Sequence, residues 1–270
     1  FPPTIAALAK GLQDPDVNMR MTSAYALSQF AWHGSRAAPP LIRTLLGDKD
    51  PRVRSAAAEA LGQIGPRNQD LRDAVEALTR ALRDQPSVCI SALRALGAAF
   101  RAGAKSAVPK ILPCASHADR HVRSAAVEAL VWIDPGAKAC IDVFKQALAD
   151  DSTRRIGARG LGKSGAARDC VSLLLEALKA ELREKDGGEC ADIACALGAA
   201  GAADLEIVPA LISLLEHRSV GTRRSAARAL GSIGTGAGDA IPALEKLLKD
   251  KEPEVGKEAE EALSKIKETP

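Results

Sequence analysis

Three groupings of residues in this chain have types and spacings that could do chemistry. The first is Gly157-Ala158-Arg159-Gly160-Leu161-Gly162-Lys163-Ser164, which spells G-x-x-x-x-G-K-S, the letters of a loop whose backbone N–H groups cradle phosphate. That loop needs a strand before it and a helix after it. Here the turn-like Asp150-Asp151-Ser152 precedes it, and Leu161-Gly162 aligns with Leu61-Gly62 and Leu230-Gly231 at the end of a helix. The match at 157–164 is therefore read as a coincidence, and the chain as a non-enzyme without a cofactor. The second grouping, Cys114, His117, Asp119 and His121, offers zinc-capable side chains as C-x2-H-x-D-x-H. It falls in a turn between helices, and a structural zinc site takes four ligands in tetrahedral array. Cys114, His117 and His121 stay weak metal candidates, and the expectation is no metal. The third is a set of arginines one helical turn apart, Arg155 with Arg159 and Arg224 with Arg228, an arrangement that can grip carboxylate or phosphate.

The elements that must position these residues follow from a repeat. Asp50-Pro51-Arg52-Val53-Arg54-Ser55-Ala56-Ala57-Ala58-Glu59-Ala60-Leu61-Gly62-Gln63-Ile64-Gly65 has close copies at 119–130 and 222–231. Anchored on the Leu of the Ala-Leu step, copies fall at Leu27, Leu61, Leu96, Leu130, Leu161, Leu197, Leu230 and Leu263, at intervals of 31 to 36 residues. A fixed period in this range means a solenoid, in which each unit buries its apolar face against its neighbours. Each anchor segment follows a shorter apolar run such as Ile241-Pro242-Ala243-Leu244, with Pro near its start. The i, i+3, i+4 spacing predicts an amphipathic helix opened by Pro, a polar turn, then an Ala-rich second helix with Val53, Ala57, Ala60, Leu61 and Ile64 as its buried stripe. The Gly after Leu61 is expected to thin the helix end where the chain turns back. The fold class is all-α: an α-solenoid of about eight antiparallel helix pairs.

This motif, Asp-x-x-Val-Arg-x-x-Ala-x-x-Ala-Leu-Gly-x-Ile-Gly, resembles the HEAT repeat, and within it the short, regular kind named after phycobilisome lyases. The resemblance covers essentially the whole chain. It implies a HEAT-like superhelix and is nearly silent on activity, since that fold hosts scaffolds, carriers, lyases and nucleic-acid enzymes. It also implies a role for two columns of residues. One column reads Arg20, Arg54, Cys89, Arg123, Arg154, Cys190, Arg223 and Gly256; the other reads Asp16, Asp50, Gln85, Asp119, Asp150, Asp186, Ser219 and Glu252. In the family such columns look like a ladder of charge-assisted hydrogen bonds between neighbouring turns. Both lapse at Gln85 and Cys89, so the third unit is expected to be held by packing alone.

The second helices are expected to line a concave face, with outward positions at i, i+4 and i+8. Those positions differ between units: Met21, Tyr25 and Gln29; Ile90, Arg94 and Ala98; Ser124, Glu128 and Trp132; Arg155, Arg159 and Lys163; Ala191, Cys195 and Ala199; Arg224, Arg228 and Ser232. The partner-binding set read from this pattern is Arg155, Arg159, Lys163, Arg224, Arg228, Trp132, Tyr25 and Arg94. Arg and Trp dominate binding hot spots, so the leading function is an interaction scaffold for a protein or an acidic peptide. Nucleic-acid binding, as in HEAT-like DNA glycosylases, is the alternative, although Glu59, Glu128 and Glu261 interrupt the stripe. A phycobilin-lyase-like, chromophore-handling subunit is a second alternative, implied only by the repeat subtype.

Composition narrows the classes further. Net charge is +3, too slight for bulk charge to imply nucleic acid or membrane binding. Hydrophobic content is 46% but aromatic content only 3%, so the core is aliphatic. No apolar run approaches the roughly 20 residues of a spanning helix. The six cysteines form no C-x-x-C pair and read as free thiols of a reducing, cytoplasmic compartment. The expected organisation is a single solenoid over 1–270, monomeric, with a Lys- and Glu-dense C-terminal cap at 241–270. The start at Phe1-Pro2-Pro3, without a comparable polar cap, is read as part of a longer chain.

Overall fold

The computed structural model describes residues 2–30, 34–65, 72–183, 188–201 and 204–267. Its contacts divide the chain into two compact units, Phe1–Asp134 and Pro135–Pro270. The first contains α1 (Pro2–Gly11), α2 (Val17–Ser28), α3 (Gly34–Gly47), α4 (Pro51–Ile64), α5 (Arg72–Ala81), α6 (Pro86–Arg94), α7 (Val108–Ile111) and α8 (Arg120–Ile133). The second contains α9 (Lys138–Ala147), α10 (Arg154–Ser164), α11 (Val171–Leu182), α12 (Ala191–Ala200), α13 (Ile207–Leu214), α14 (Val220–Ile233), α15 (Ile241–Leu247) and α16 (Pro253–Lys267). Among the described residues these form eight helix pairs, whose second helices are Ala-rich in α4, α8, α12 and α14 but carry a single Ala in α6 and in α10. Within each unit the second helices stack in succession, α2 on α4 on α6 on α8, and α10 on α12 on α14 on α16.

The repeated motif explains why each second helix forms where it does. Asp16, Asp50 and Asp119 are N-caps whose carboxylates accept the backbone N–H of Asn18, Arg52 and His121 at 2.9, 2.9 and 2.7 Å. Such a cap satisfies a donor that the first turn leaves open, and is worth about 1 kcal/mol. Val53, Ala57, Ala60, Leu61 and Ile64 are all fully buried, as the stripe requires. So are seven of the eight anchor leucines, and Leu263 is 8% exposed.

Two details differ from expectation. Pro39 and Pro40 lie inside α3, which begins at Gly34, instead of opening it. Gly62 lies within α4 and does not thin its end. A Cβ there would come 3.0 Å from Ala95 Cβ, and one on Gly97, Gly198 or Gly231 would fall within 2.9 Å of Ala129, Ala229 or Ala262. The glycines thus let successive second helices approach at backbone distance. After α6 the chain makes a π-helical turn, Ala95–Phe100, and Arg101 adopts a positive φ of 41° before a 3-10 segment leads into α7.

Candidate functional site

The arginine column builds the frame. Arg20 donates to Asp48 at 2.7 and 3.1 Å, Arg54 to Asp84 at 2.7 and 2.6 Å, and Arg223 to Asp250 at 2.7 and 2.8 Å. Each also donates to turn carbonyls of its own repeat: Arg20 to Asp14 and Pro15, Arg54 to Asp48, Arg223 to His217 and Arg218. Arg154 reaches Glu181 at 3.2 Å and also pairs with Asp151. The ladder therefore exists, but Arg20, Arg54 and Arg223 do not use the second column, whose Asp16, Asp50 and Asp119 cap helices and whose Asp186 lies outside the described residues. The acceptors of Arg20, Arg54 and Arg223 belong to the corresponding turn of the next helix pair, whereas Glu181, which takes Arg154, lies in α11. The third unit is not held by packing alone, since Asp84 takes Arg54.

These acceptors form a third column that sequence reasoning missed. Asp14, Asp48 and Asp250 each accept the backbone N–H two residues on, at 2.8, 2.9 and 2.9 Å. His117 and His217 do the same through Nδ1, both at 3.0 Å. The histidines stand where the preceding repeat has Cys89 or Cys190 in place of the arginine. A carboxylate there would face the junction without its guanidinium, whereas an imidazole keeps the turn through its Nδ1 acceptor. Instead Cys190 N–H donates to Thr222 Oγ1 at 3.1 Å in the core. At the other junction the buried Cys89 thiol is pushed well up in pKa by the Cys114 sulfur beside it and by burial. The signal in the sequence was the coincidence of the two lapses.

The sequence-level chemistry disperses. Among the described residues no three His, Cys, Asp or Glu side chains are placed to hold a metal ion. Cys114 is buried, His117 serves its turn, and Arg120 Nε approaches His121 Nε2 at 3.4 Å. Gly157, Gly160 and Gly162 of the phosphate-loop letters all lie inside α10. A Cβ on Gly160 would come 2.6–2.7 Å from the Phe144 ring, and one on Gly157 2.8 Å from the Phe144 carbonyl oxygen. Phe144 is fully buried, so these glycines make room for it. All six cysteines are free thiols, five buried and Cys195 exposed.

On the second-helix face of the C-terminal unit, the predicted arginines come with carboxylates from the next repeat. Arg155 meets Glu189 at 3.1 Å, Arg159 meets Asp192 at 4.0 Å, Arg224 meets Glu254 at 2.7 Å, and Arg228 grips Glu258 through two bonds of 2.9 and 2.5 Å. The Arg228 guanidinium holds the Glu258 carboxyl below its ordinary pKa. Lys163 is exposed in the last turn of α10. Half-exposed pairs of this kind contribute about 0–1 kcal/mol each. A partner's carboxylate arriving there would exchange one acid for another with little net gain.

The same face of the N-terminal unit is arranged differently. Tyr25 is 40% exposed and its hydroxyl donates to Glu59 at 3.4 Å. Glu59 also accepts from Ser91 at 3.0 Å, and Ser28 donates to Gln63 at 2.6 Å. Trp132 Nε1–H donates to Glu128 at 2.7 Å, and the Arg101 guanidinium sits over the indole at 5.2 Å. Arg94 is exposed and makes no hydrogen bond or ion pair among the described residues. It borders a recess of about 260 Å³ whose floor is Gly62, Ala95, Ala98 and Ala99, with Glu59 and Gln63 beside it. Sequence reasoning missed Arg101, because the π-helical turn carries it out of the i, i+4, i+8 register that ends at Ala98.

A family model for HEAT repeats matches residues 5–97, 83–162 and 176–264. The chain belongs to the HEAT-repeat family. The match is to HEAT repeats as such and does not single out the phycobilisome-lyase kind. No curated protein sequence matches this HEAT-repeat chain. Among solved structures, it is similar to an engineered protein from the Northeast Structural Genomics Consortium, at 26% identity and TM-score 0.62, over 97% of this chain and 78% of that one. It is similar to importin beta crystallised in an ammonium sulfate condition, at 18% identity and TM-score 0.59. It is also similar to Kap95p, from a study of how Kap95p binding induces the switch loops of RanGDP to adopt the GTP-bound conformation, at 16% identity and TM-score 0.69. Each of these two likenesses covers 98% of this chain and 40% of the other, and they show the fold alone. No described helix is long and apolar enough to cross a membrane.

Proposed function

We propose that this HEAT-repeat chain is a non-catalytic scaffold that binds an acidic peptide segment of a protein partner on its second-helix face, with Arg94 as the anchor. The observation that carries the reading is the contrast between arginines. Those at 155, 159, 224 and 228 each have a carboxylate of their own, whereas Arg94 has none among the described residues and stands over a floor of small side chains. A peptide carboxylate at Arg94 forms a new charge-assisted bond without breaking an old one. The recess floor accepts the peptide's backbone, and Trp132 with Arg101 supplies an amphipathic shoulder along the same face. Kap95p, whose fold is similar, binds a protein, which agrees with this use of the architecture.

The test is fluorescence anisotropy with a labelled Glu-rich peptide lacking large apolar residues. Arg94→Glu should weaken binding about tenfold or more, roughly 1.4 kcal/mol, with an unchanged melting temperature. Arg155→Glu with Arg159→Glu should change it less than about threefold. Equal affinity for wild type and Arg94→Glu rejects the site.

A further inference from the structure

The second helices meet closely because Gly198 and Gly231 present bare backbone to Ala229 and Ala262. The first helices of the same repeats carry larger side chains and leave a recess between them. Between α13 and α15 that recess has a volume of about 750 Å³. Ile212 and Leu215 from one side, Ala243 and Leu247 from the other, make its walls apolar. At one end it opens onto the two polar turns that follow these helices, and there the charge is lopsided. Arg223 is committed to Asp250, and Lys246 reaches Glu216 at 2.7 Å. Lys249 and Lys251, which also line the recess, are exposed, and their side chains form no hydrogen bond or salt bridge among the described residues. Arg218 lines the same rim.

We infer that this first-helix groove is a second docking site, distinct from the Arg94 face, for an acidic segment of a protein partner that carries one or more large aliphatic residues. The argument is complementarity of two kinds at one place. Apolar walls lie below the rim, so that a Leu-sized side chain entering the groove leaves water, worth about 1.5–3 kcal/mol when fully buried. Lysines at the open end then face carboxylates that flank it. A lipid surface fits less well, because membrane-seated proteins project apolar residues outward, whereas these are recessed. A nucleic-acid backbone would make no use of the apolar walls.

The probe is a labelled Glu-rich peptide with Leu at i, i+3, i+4 and i+7, titrated against the full chain by anisotropy. Lys249→Glu with Lys251→Glu should weaken binding about tenfold or more, and Ala243→Trp, which fills the groove from an already half-exposed position, should do the same. Arg94→Glu should leave this binding unchanged, which separates the groove from the proposed function: loss with Arg94→Glu alone overturns the groove and supports the other face. All three variants should melt with the wild type. No binding by the wild type up to roughly 1 mM overturns the inference, as does equal binding by all variants. Two further outcomes also overturn it. In one, phosphatidylserine-containing vesicles bind and lose binding with the lysine variant while the peptide does not bind. In the other, ultracentrifugation shows a dimer of the chain that Ala243→Trp dissociates.

Discussion

Gly160 matters for what it lacks. Phe144, a large side chain in an aliphatic core, packs so close to α10 that any Cβ at position 160 would enter its ring. Gly160→Ala should therefore destabilise the chain by about 1–3 kcal/mol, read as a lower urea midpoint. Lys163→Ala, at an exposed position, should leave that midpoint within about 0.5 kcal/mol of wild type. A true phosphate loop would invert this pattern: the lysine variant would abolish binding of magnesium–ATP, measured by calorimetry. The letters of the motif were plain in the sequence, and the helical alignment with Leu61-Gly62 argued against them. Why three glycines crowd into one helix was not legible, because what they accommodate lies on other helices: the Phe144 ring at Gly160 and the Phe144 carbonyl at Gly157, both from α9, and Ala196 of α12 at Gly162.

At the scale of elements, the arginine ladder ties one helix pair to the next. Arg223 and Asp250 have side chains 7% and 9% exposed, so removing one partner strands a largely desolvated charge. Arg223→Ala should cost about 2–3 kcal/mol at neutral pH in chemical denaturation. The guanidinium also holds the Asp250 carboxyl below its ordinary pKa, as Arg54 does for Asp84. A carboxyl with a lowered folded-state pKa lends stability that is complete above the unfolded value, near 4, and is lost as pH falls through the folded one. Wild-type stability should accordingly fall on acidification below about pH 4, and Arg223→Ala should show a shallower fall over the same window. The paired lapses of the ladder give a sharper test. Cys89→Arg alone places a guanidinium at a junction with no acid, and His117→Asp alone places an acid with no guanidinium. Each should destabilise, and the double variant should recover about 1 kcal/mol or more relative to their sum, measured as a double-mutant cycle. Additivity of the two would remove the account of why Cys and His lapse together.

At the scale of the whole molecule, a formal charge of +3 is spread over faces where arginines already meet carboxylates. Random-sequence duplex DNA should therefore not be retained at about 0.15 M salt in a gel-shift or anisotropy titration, since acidic residues nearly balance the basic ones and interrupt the basic stripe. Retention there, with a steep salt slope, would favour the nucleic-acid reading. The fold itself was legible because its determinants are local and repeated. The spacing of Leu27, Leu61, Leu96 and their successors, the caps at Asp16, Asp50 and Asp119, and the Ala stripe all act within one repeat and its immediate neighbour. Even the pairing of Arg224 with Glu254 and Arg228 with Glu258 lies about one period along the chain. Arg94 breaks that rule. One period on stands Glu128, yet its carboxylate takes the Trp132 indole N–H, and Arg94 stays over its alanine floor. The sequence by itself determined the repeat, the helices and the buried face, since apolar periodicity is read along a single helix. That Arg94 stands without a carboxylate of its own among the described residues, and that a groove opens between α13 and α15, only the tertiary structure decided. The first depends on Glu128 being held by the Trp132 indole, the second on the lateral distance between helices, with glycine contacts on one side and larger side chains on the other.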